Sequence, residues 1–294
     1  MHVPVGGCWV AIRATDTSGL ARTVLGAVTL FAKWPPDAFN EVCAAAQLWR
    51  FAKGETVYRF GEPMPGLVVL AKGSLLNVRF YPNGKRMATA ILKAGWPVGV
   101  LPAWDELDCA YDGVARTDCL VIVISNKVLR ALLRGDADRM AQVADMLSAQ
   151  IRQDTESLLA RSVSSQRCLL AKYLAYLCRP SVFVTREDPT AVDPVATDVT
   201  QDELAAMIAA SRQTVNRLMK GLERDGVLKR RGALVEIVNF RRLLAVMEED
   251  EPIPPLWRAQ IMAWHERLAD RNPQAASPGP GSLAAMTASD RMAS

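Results

Sequence analysis

Thr200-Gln201-Asp202-Glu203-Leu204-Ala205, followed by Ser211-Arg212-Gln213-Thr214-Val215-Asn216-Arg217, is the stretch whose reading decides the fold. Thr200 with Glu203 three residues later is a capping box, in which the hydroxyl caps the first turn and the carboxylate reaches back. Leu204, Met207 and Ile208 give one buried helix face. Ala209 and Ala210 form the expected turn. Ser211 caps a second helix, with Val215, Leu218, Met219 and Leu222 at helical spacing. Gly226 ends it, and residues 227–231 and 233–238 read as a small hairpin around Gly232. This is a helix-turn-helix followed by a β-wing.

Charge collects on the same segment. Residues 211–231 hold Arg212, Arg217, Lys220, Arg224, Lys229, Arg230 and Arg231 against Glu223 and Asp225, a local net of +5. The whole 294-residue chain carries only +4. A charge run alone reads as a solvated helix face; its placement gives it meaning. Arg212, Gln213 and Asn216 lie on the first turns of the second helix, opposite the apolar stripe, and Arg217 follows. Those turns enter the major groove in a helix-turn-helix. Arginine pairs with guanine, and Gln or Asn can pair with adenine, so these four are the candidate base contacts. Lys220 and the wing residues Lys229, Arg230 and Arg231 suit phosphates.

Upstream, residues 136–179 contain no Gly or Pro and read as long helix. Met140, Val143, Leu147, Ile151 and Leu158 form a stripe at spacings of 3, 4, 4 and 7. The stripe packs either on its own domain or on a second copy of the chain; the isolated length of the helix favours a homodimer. Asp154 and Thr155 interrupt it. Before this helix, residues 49–125 are short apolar runs punctuated by glycine. Strand-like pieces fall at 56–60, 66–71, 74–81, 85–92 and 118–124, with Pro82-Asn83-Gly84 as a hairpin turn. This texture reads as a β-sandwich or roll. Pro35-Pro36 starts a helix expected over 37–48.

Together these motifs resemble the cyclic-AMP receptor/fumarate–nitrate regulator (Crp–Fnr) superfamily. Phe51-Ala52-Lys53-Gly54-Glu55-Thr56-Val57, Phe60-Gly61-Glu62 and Lys72-Gly73 are similar to that family's β-roll. The resemblance runs from about Val24 to Val246 in the family's order. It implies an α+β fold: a cyclic-nucleotide-binding-like β-roll, a long dimerisation helix and a C-terminal winged helix-turn-helix. It also implies base contacts by Arg212, Gln213 and Arg217 and phosphate contacts by Ser211, Thr214 and Gln201. The expected division is an extension at 1–22, the roll at 23–135, the dimer helix at 136–165, the DNA-binding domain at 166–248, and a linker, short helix and disordered tail at 249–294.

The chain departs from the family at several points. Ala209 stands where members usually carry Gly, which predicts a strained turn. Gln213 replaces a common Glu and shifts the expected base from cytosine to adenine. Nucleotide binders carry Gly-Glu-Leu and, about ten residues on, an Arg. Here the triplet is Gly99-Val100-Leu101, and residues 109–114 hold Asp112 and no Arg. Cyclic-nucleotide control is therefore not expected. The apolar insert containing Trp96, Val100, Leu101 and Trp104 either fills a dead pocket or lines an apolar effector site.

Composition sets the remaining bounds. The chain is 50% hydrophobic with only 2 His, so a core is expected and a His-based enzyme or metal site is not. The six cysteines are scattered with no C-x-x-C, Cys8 stands alone near the amino terminus, and reduced thiols in the cytoplasm are expected. No P-loop, dinucleotide fingerprint or nucleophile elbow is present. No cofactor and no membrane contact are expected, and the sequence names no effector. The expected partners are double-stranded DNA, a second copy and RNA polymerase. The competing reading is a signalling or scaffold protein whose roll binds a partner and whose helix-turn-helix no longer binds DNA.

Overall fold

The computed structural model describes residues 10–11, 17–178, 196–232, 234–255, 257–259, 261–263 and 266. They fall into two compact units, one up to Ser162 and one from Val163 onward. His2, Cys8, Ala233, most of the loop expected at 181–197 and the tail after 266 lie outside the described residues.

The first unit opens with strand β1 (Val10–Ala11) and helices α1 (Thr17–Gly26) and α2 (Pro36–Ala45). The strands β2 (Gln47–Phe51), β3 (Thr56–Tyr58), β4 (Leu67–Lys72), β5 (Leu75–Phe80), β6 (Arg86–Leu92) and β7 (Pro97–Val98) follow. Helix α3 (Val100–Asp105), strands β8 (Asp112–Ala115) and β9 (Cys119–Ile124), and helices α4 (Asn126–Leu133) and α5 (Ala137–Val163) complete it. One sheet has the order β1-β2-β9-β4-β7 and the other β3-β8-β5-β6.

Strand alternation explains the apolar runs in β4 and β9. Leu67 and Val69 with Ile122 and Ile124 face a core shared with α1, α2, α4 and the start of α5. Val68 and Leu70 with Val121 and Val123 face a second core against the other sheet. A sheet covered on both faces needs continuous hydrophobicity rather than alternation.

Several expectations are corrected here. The sequence predicts a loose extension over residues 1–22, yet α1 starts at Thr17 and Ala21 is buried, because its apolar face completes the first core. The helix expected over 37–48 stops at Ala45. Ala46 turns extended at ψ 132°, and Gln47–Phe51 pair with β9 instead. The long helix of 136–179 is two helices. It breaks at Ser164-Ser165, where the Ser165 N–H donates to Asp250 Oδ2 at 2.6 Å and the Ser165 hydroxyl accepts the Cys168 N–H at 3.3 Å.

The second unit contains α6 (Gln166–Cys178), β10 (Ala196–Asp198), α7 (Gln201–Met207), α8 (Arg212–Arg224), β11 (Leu228–Arg231), β12 (Leu234–Ile237) and α9 (Phe240–Met247). Its sheet order is β10-β12-β11. The segment after Glu249, expected as a linker, packs at its start. Ile253 is buried, and Lys172 Nζ donates to Glu251 Oε1 and to Ser164 Oγ. The Asp250 carboxylate, accepting the Ser165 N–H, also lies at the amino end of α6, where the helix dipole favours negative charge.

Candidate nucleic-acid interface

α7 begins as the sequence predicts. The Thr200 hydroxyl accepts the Glu203 N–H at 3.2 Å, and the Thr200 N–H donates back to Glu203 Oε2 at 2.8 Å. It ends in a left-handed turn. Ala209 has φ +51°, and the Ala210 N–H closes onto the Ala205 carbonyl at 3.0 Å. That six-residue closure is the Schellman form, which places Gly at the left-handed position without penalty and Ala with one. Ser211 then caps α8, accepting the Thr214 N–H at 3.1 Å.

The periodicity of α8 sorts its side chains. Val215, Met219 and Leu222 are buried. The opposite face presents Gln213, Asn216, Arg217, Lys220, Gly221 and Arg224 along an open cleft of about 360 Å³. Positions 213, 216, 217, 220, 221 and 224 are one helical stripe. Arg217, Lys220, Lys229 and Arg231 are exposed and make no ion pair among the described residues. Arg212 is 70% exposed and lies 3.5 Å from Asp202, a surface pair that holds it weakly. The positive end of the helix dipole lies at the same turn, where backbone N–H groups favour an anion.

The predicted residues divide by environment. Arg212, Gln213 and Arg217 stand on the open face, with Asn216 half-buried beside them. Ser211 and Thr214 contact each other, oxygen to oxygen at 2.9 Å. Gln201 Nε2 donates to Asn216 Oδ1 at 3.4 Å. Arg230 departs from the expectation of a phosphate contact. β11 alternates, so Lys229 and Arg231 face solvent while Arg230 turns onto Glu223, its side chain only 20% exposed. Hydrogen bonds from Arg230 hold the Glu223 carboxyl below its usual range. The signal was present in the sequence as one of the two acids of the basic segment.

The insert of the first unit does not gather around one cavity. Val100 lies in the first core, Trp96 packs against both cores, and Leu101 and Trp104 are exposed on α3. Inside the roll, Tyr58 donates to the buried Asn77 side chain, and a Cβ on Gly113 would meet the Tyr58 ring at 2.2 Å. Cys109 Sγ lies 3.3 Å from Met64 Sδ, and burial first, then Asp108 and Glu62, push its thiol up to about 11. Asp112 accepts the Phe60 N–H at 3.1 Å. The dimer stripe divides too. Val143 is buried, Met140 and Leu147 pack on the first core, and Ile151 and Leu158 are 64% and 65% exposed. No helix of the described residues is long and apolar enough to cross a membrane.

Comparison with known proteins agrees with this architecture. Residues 170–246 match the Crp-like helix-turn-helix domain and residues 48–136 the cyclic nucleotide-binding domain, together more than half of the chain. The CRP-like cAMP-activated global transcriptional regulator of Mycobacterium tuberculosis (strain CDC 1551 / Oshkosh) is 24% identical over 220 residues, 75% of this chain and 96% of that protein. The cAMP-activated global transcriptional regulator CRP of Escherichia coli O157:H7 is 23% identical over 193 residues, 65% of this chain and 90% of that protein. Among solved structures, FixK2 from Bradyrhizobium japonicum superposes with a TM-score of 0.61 at 16% identity, covering 71% of this chain and 99% of that one. The c-di-GMP responsive global regulator CLP of Xanthomonas campestris gives 0.55 at 22% identity, covering 69% and 99%. A β-roll, a long helix and a winged helix-turn-helix with a basic outer face, in that order, go with relatives that are regulators rather than enzymes; the chain belongs to the Crp–Fnr superfamily of transcription regulators.

Proposed function

We propose that the chain works as a cytoplasmic homodimer on an inverted-repeat operator, without control by cyclic AMP. The observation that carries DNA reading is the outer stripe of α8: Gln213, Asn216 and the uncommitted cations Arg217 and Lys220 on one face. Arg212 and Arg217 suit guanine, Gln213 suits adenine, and Lys220, Lys229 and Arg231 suit phosphates. The second half of the α5 stripe supports the dimer. Ile151, Leu158 and Leu159 are at least half exposed on one helical face, an apolar strip that a second copy would cover. Leaving this strip bare would cost apolar hydration.

The case against cyclic AMP rests on the roll. The position of the ribose carboxylate is the buried Val100, residues 109–114 hold no guanidinium, and Tyr58, Met64 and Cys109 occupy the interior core. An anionic phosphate beside Asp112 lacks its cation. The relatives named as cAMP-activated and the neighbour named as c-di-GMP responsive show that a shared fold does not fix the effector.

Selection of bound DNA from a random library tests the whole reading. The expected product is an inverted repeat with half-site centres about one helical turn, ~10 bp, apart. An enriched sequence without two-fold symmetry refutes the dimer, and no enrichment refutes DNA reading. Calorimetry showing micromolar affinity for cyclic AMP refutes the third element.

A further inference from the structure

The three consecutive cations of β11 have two different roles. Lys229 and Arg231 face solvent; Arg230 faces α8. Arg230 Nε donates to Glu223 Oε2 at 2.8 Å, a terminal N–H reaches the same oxygen, and the Arg230 backbone N–H donates to Oε1 at 3.1 Å. The other terminal nitrogen donates to Asn216 Oδ1 at 3.3 Å, and Gln201 Nε2 donates to that same oxygen at 3.4 Å. A guanidinium carries only donors, so the Asn216 atom that faces it is the oxygen. Both acceptor sites of that oxygen are then taken from within the protein. The Asn216 amide nitrogen has no partner among the described residues, and Asn216 lines the open stripe between Gln213 and Arg217.

We infer that the Glu223–Arg230 pair makes Asn216 a donor-only reader. The inference rests on the proposal that α8 reads DNA. A free Asn amide pairs with adenine at two points, accepting from N6 and donating to N7. Here the acceptor is used, and only N–H is offered. The bases that suit it are those with acceptor edges: guanine through N7 and O6, thymine through O4. Cytosine, which presents a donor at N4, is rejected. Arg230 is a positioning residue in this scheme, and it touches no phosphate.

The test is an affinity panel with the full chain on the selected operator, each of the four bases placed in turn at every half-site position. Asn216→Ala identifies the position it reads by flattening preference there; a profile it leaves unchanged overturns the inference. At that position the wild type is expected to bind guanine or thymine at least as tightly as adenine and to bind cytosine about tenfold more weakly. Arg230→Met, which frees one of the two acceptor sites of the amide oxygen, should raise adenine over guanine by about tenfold. Asn216→Asp, which keeps an oxygen for Arg230 and turns a second oxygen outward, should move the preference to cytosine. A wild type that favours adenine over guanine tenfold overturns the inference, as does a folded Arg230→Met protein with the wild-type profile. Should Arg230→Met fail to fold by circular dichroism, the Asn216→Asp ranking decides, and an unchanged ranking overturns the inference. A wild type that enriches no sequence overturns DNA reading itself, a result seen before any variant is made.

Discussion

Replacing Ala209 by Gly should stabilise the DNA-binding unit. Ala209 sits at φ +51°, where a Cβ crowds the following carbonyl at a cost of roughly 1–2 kcal/mol. Glycine removes that crowding but loses more freedom on folding, which returns roughly 0.5–1 kcal/mol. The net gain is about 1 kcal/mol. In a unit of the order of 100 residues that raises its Tm by roughly 4–8 °C. The turn itself is preserved, because the Ala210 N–H to Ala205 carbonyl bond is backbone to backbone, and the Ser211 cap of α8 is untouched. Operator affinity should therefore stay within about twofold, by the usual size of a surface change. Differential scanning calorimetry of the full chain reports the two units as separate transitions if they unfold independently. A variant whose second transition stays put or falls would refute the reasoning, since the left-handed penalty would then not be present at this residue.

Ile151→Asp places a charge in the exposed apolar strip of α5 and should cost the dimer about 3 kcal/mol, over a hundredfold in association constant. Light scattering of the wild type as a monomer at micromolar concentration would end this argument. Arg217→Ala should cost roughly 1–3 kcal/mol and relax preference at one symmetric pair of operator positions. Lys229→Ala should instead weaken all sequences equally and flatten the salt dependence by about one unit of slope. If the selected motif changes with Lys229 and not with Arg217, α8 is not the reader. Burial lifts the Cys109 thiol from 9.0 to about 11. At pH 8 only about one such thiol in a thousand is ionised, so it should resist alkylation until the chain is denatured. The folded state holds that proton more tightly than the unfolded chain does. The associated stability is therefore present below pH 9 and is lost as pH rises toward 11. Fast labelling of native protein at pH 8, mapped to Cys109, contradicts the burial.

Local chemistry made the second unit legible. The Thr200 box, the Ser211 cap and the left-handed Gly226 and Gly232 are set by residues within a few positions of each other, and the structure repeats them. What was missed depends on distance. β2 is a short mixed segment, Gln47–Phe51, directly after an Ala-rich helix, and only pairing with β9, some seventy residues on, makes it a strand. The break at Ser164-Ser165 needs the Asp250 carboxylate, 85 residues away, to accept the Ser165 N–H. Within the candidate interface, three adjacent cations look alike in sequence. Strand alternation decides which one turns inward, and Glu223, seven residues before Arg230, decides what it meets. In sequence the α5 stripe is one seam. Its first half serves the domain's own core, which periodicity cannot distinguish from a partner's.

The Tyr58 ring over Gly113 carries a consequence for how such a regulator is governed. A ligand can move a protein only between two states of differing affinity. On the proposed reading, a roll whose interior packs Tyr58, Met64 and Cys109, with Tyr58 bonded to Asn77, is not moved by a nucleotide. On the proposed reading, the controlling variable becomes the amount of the chain. Well below its dissociation constant a dimer accumulates as the square of its monomer, so doubling synthesis gives about fourfold more of the DNA-binding species. Expression and turnover would then set the output steeply, and the half-life of the protein would serve as the signal that a metabolite carries elsewhere.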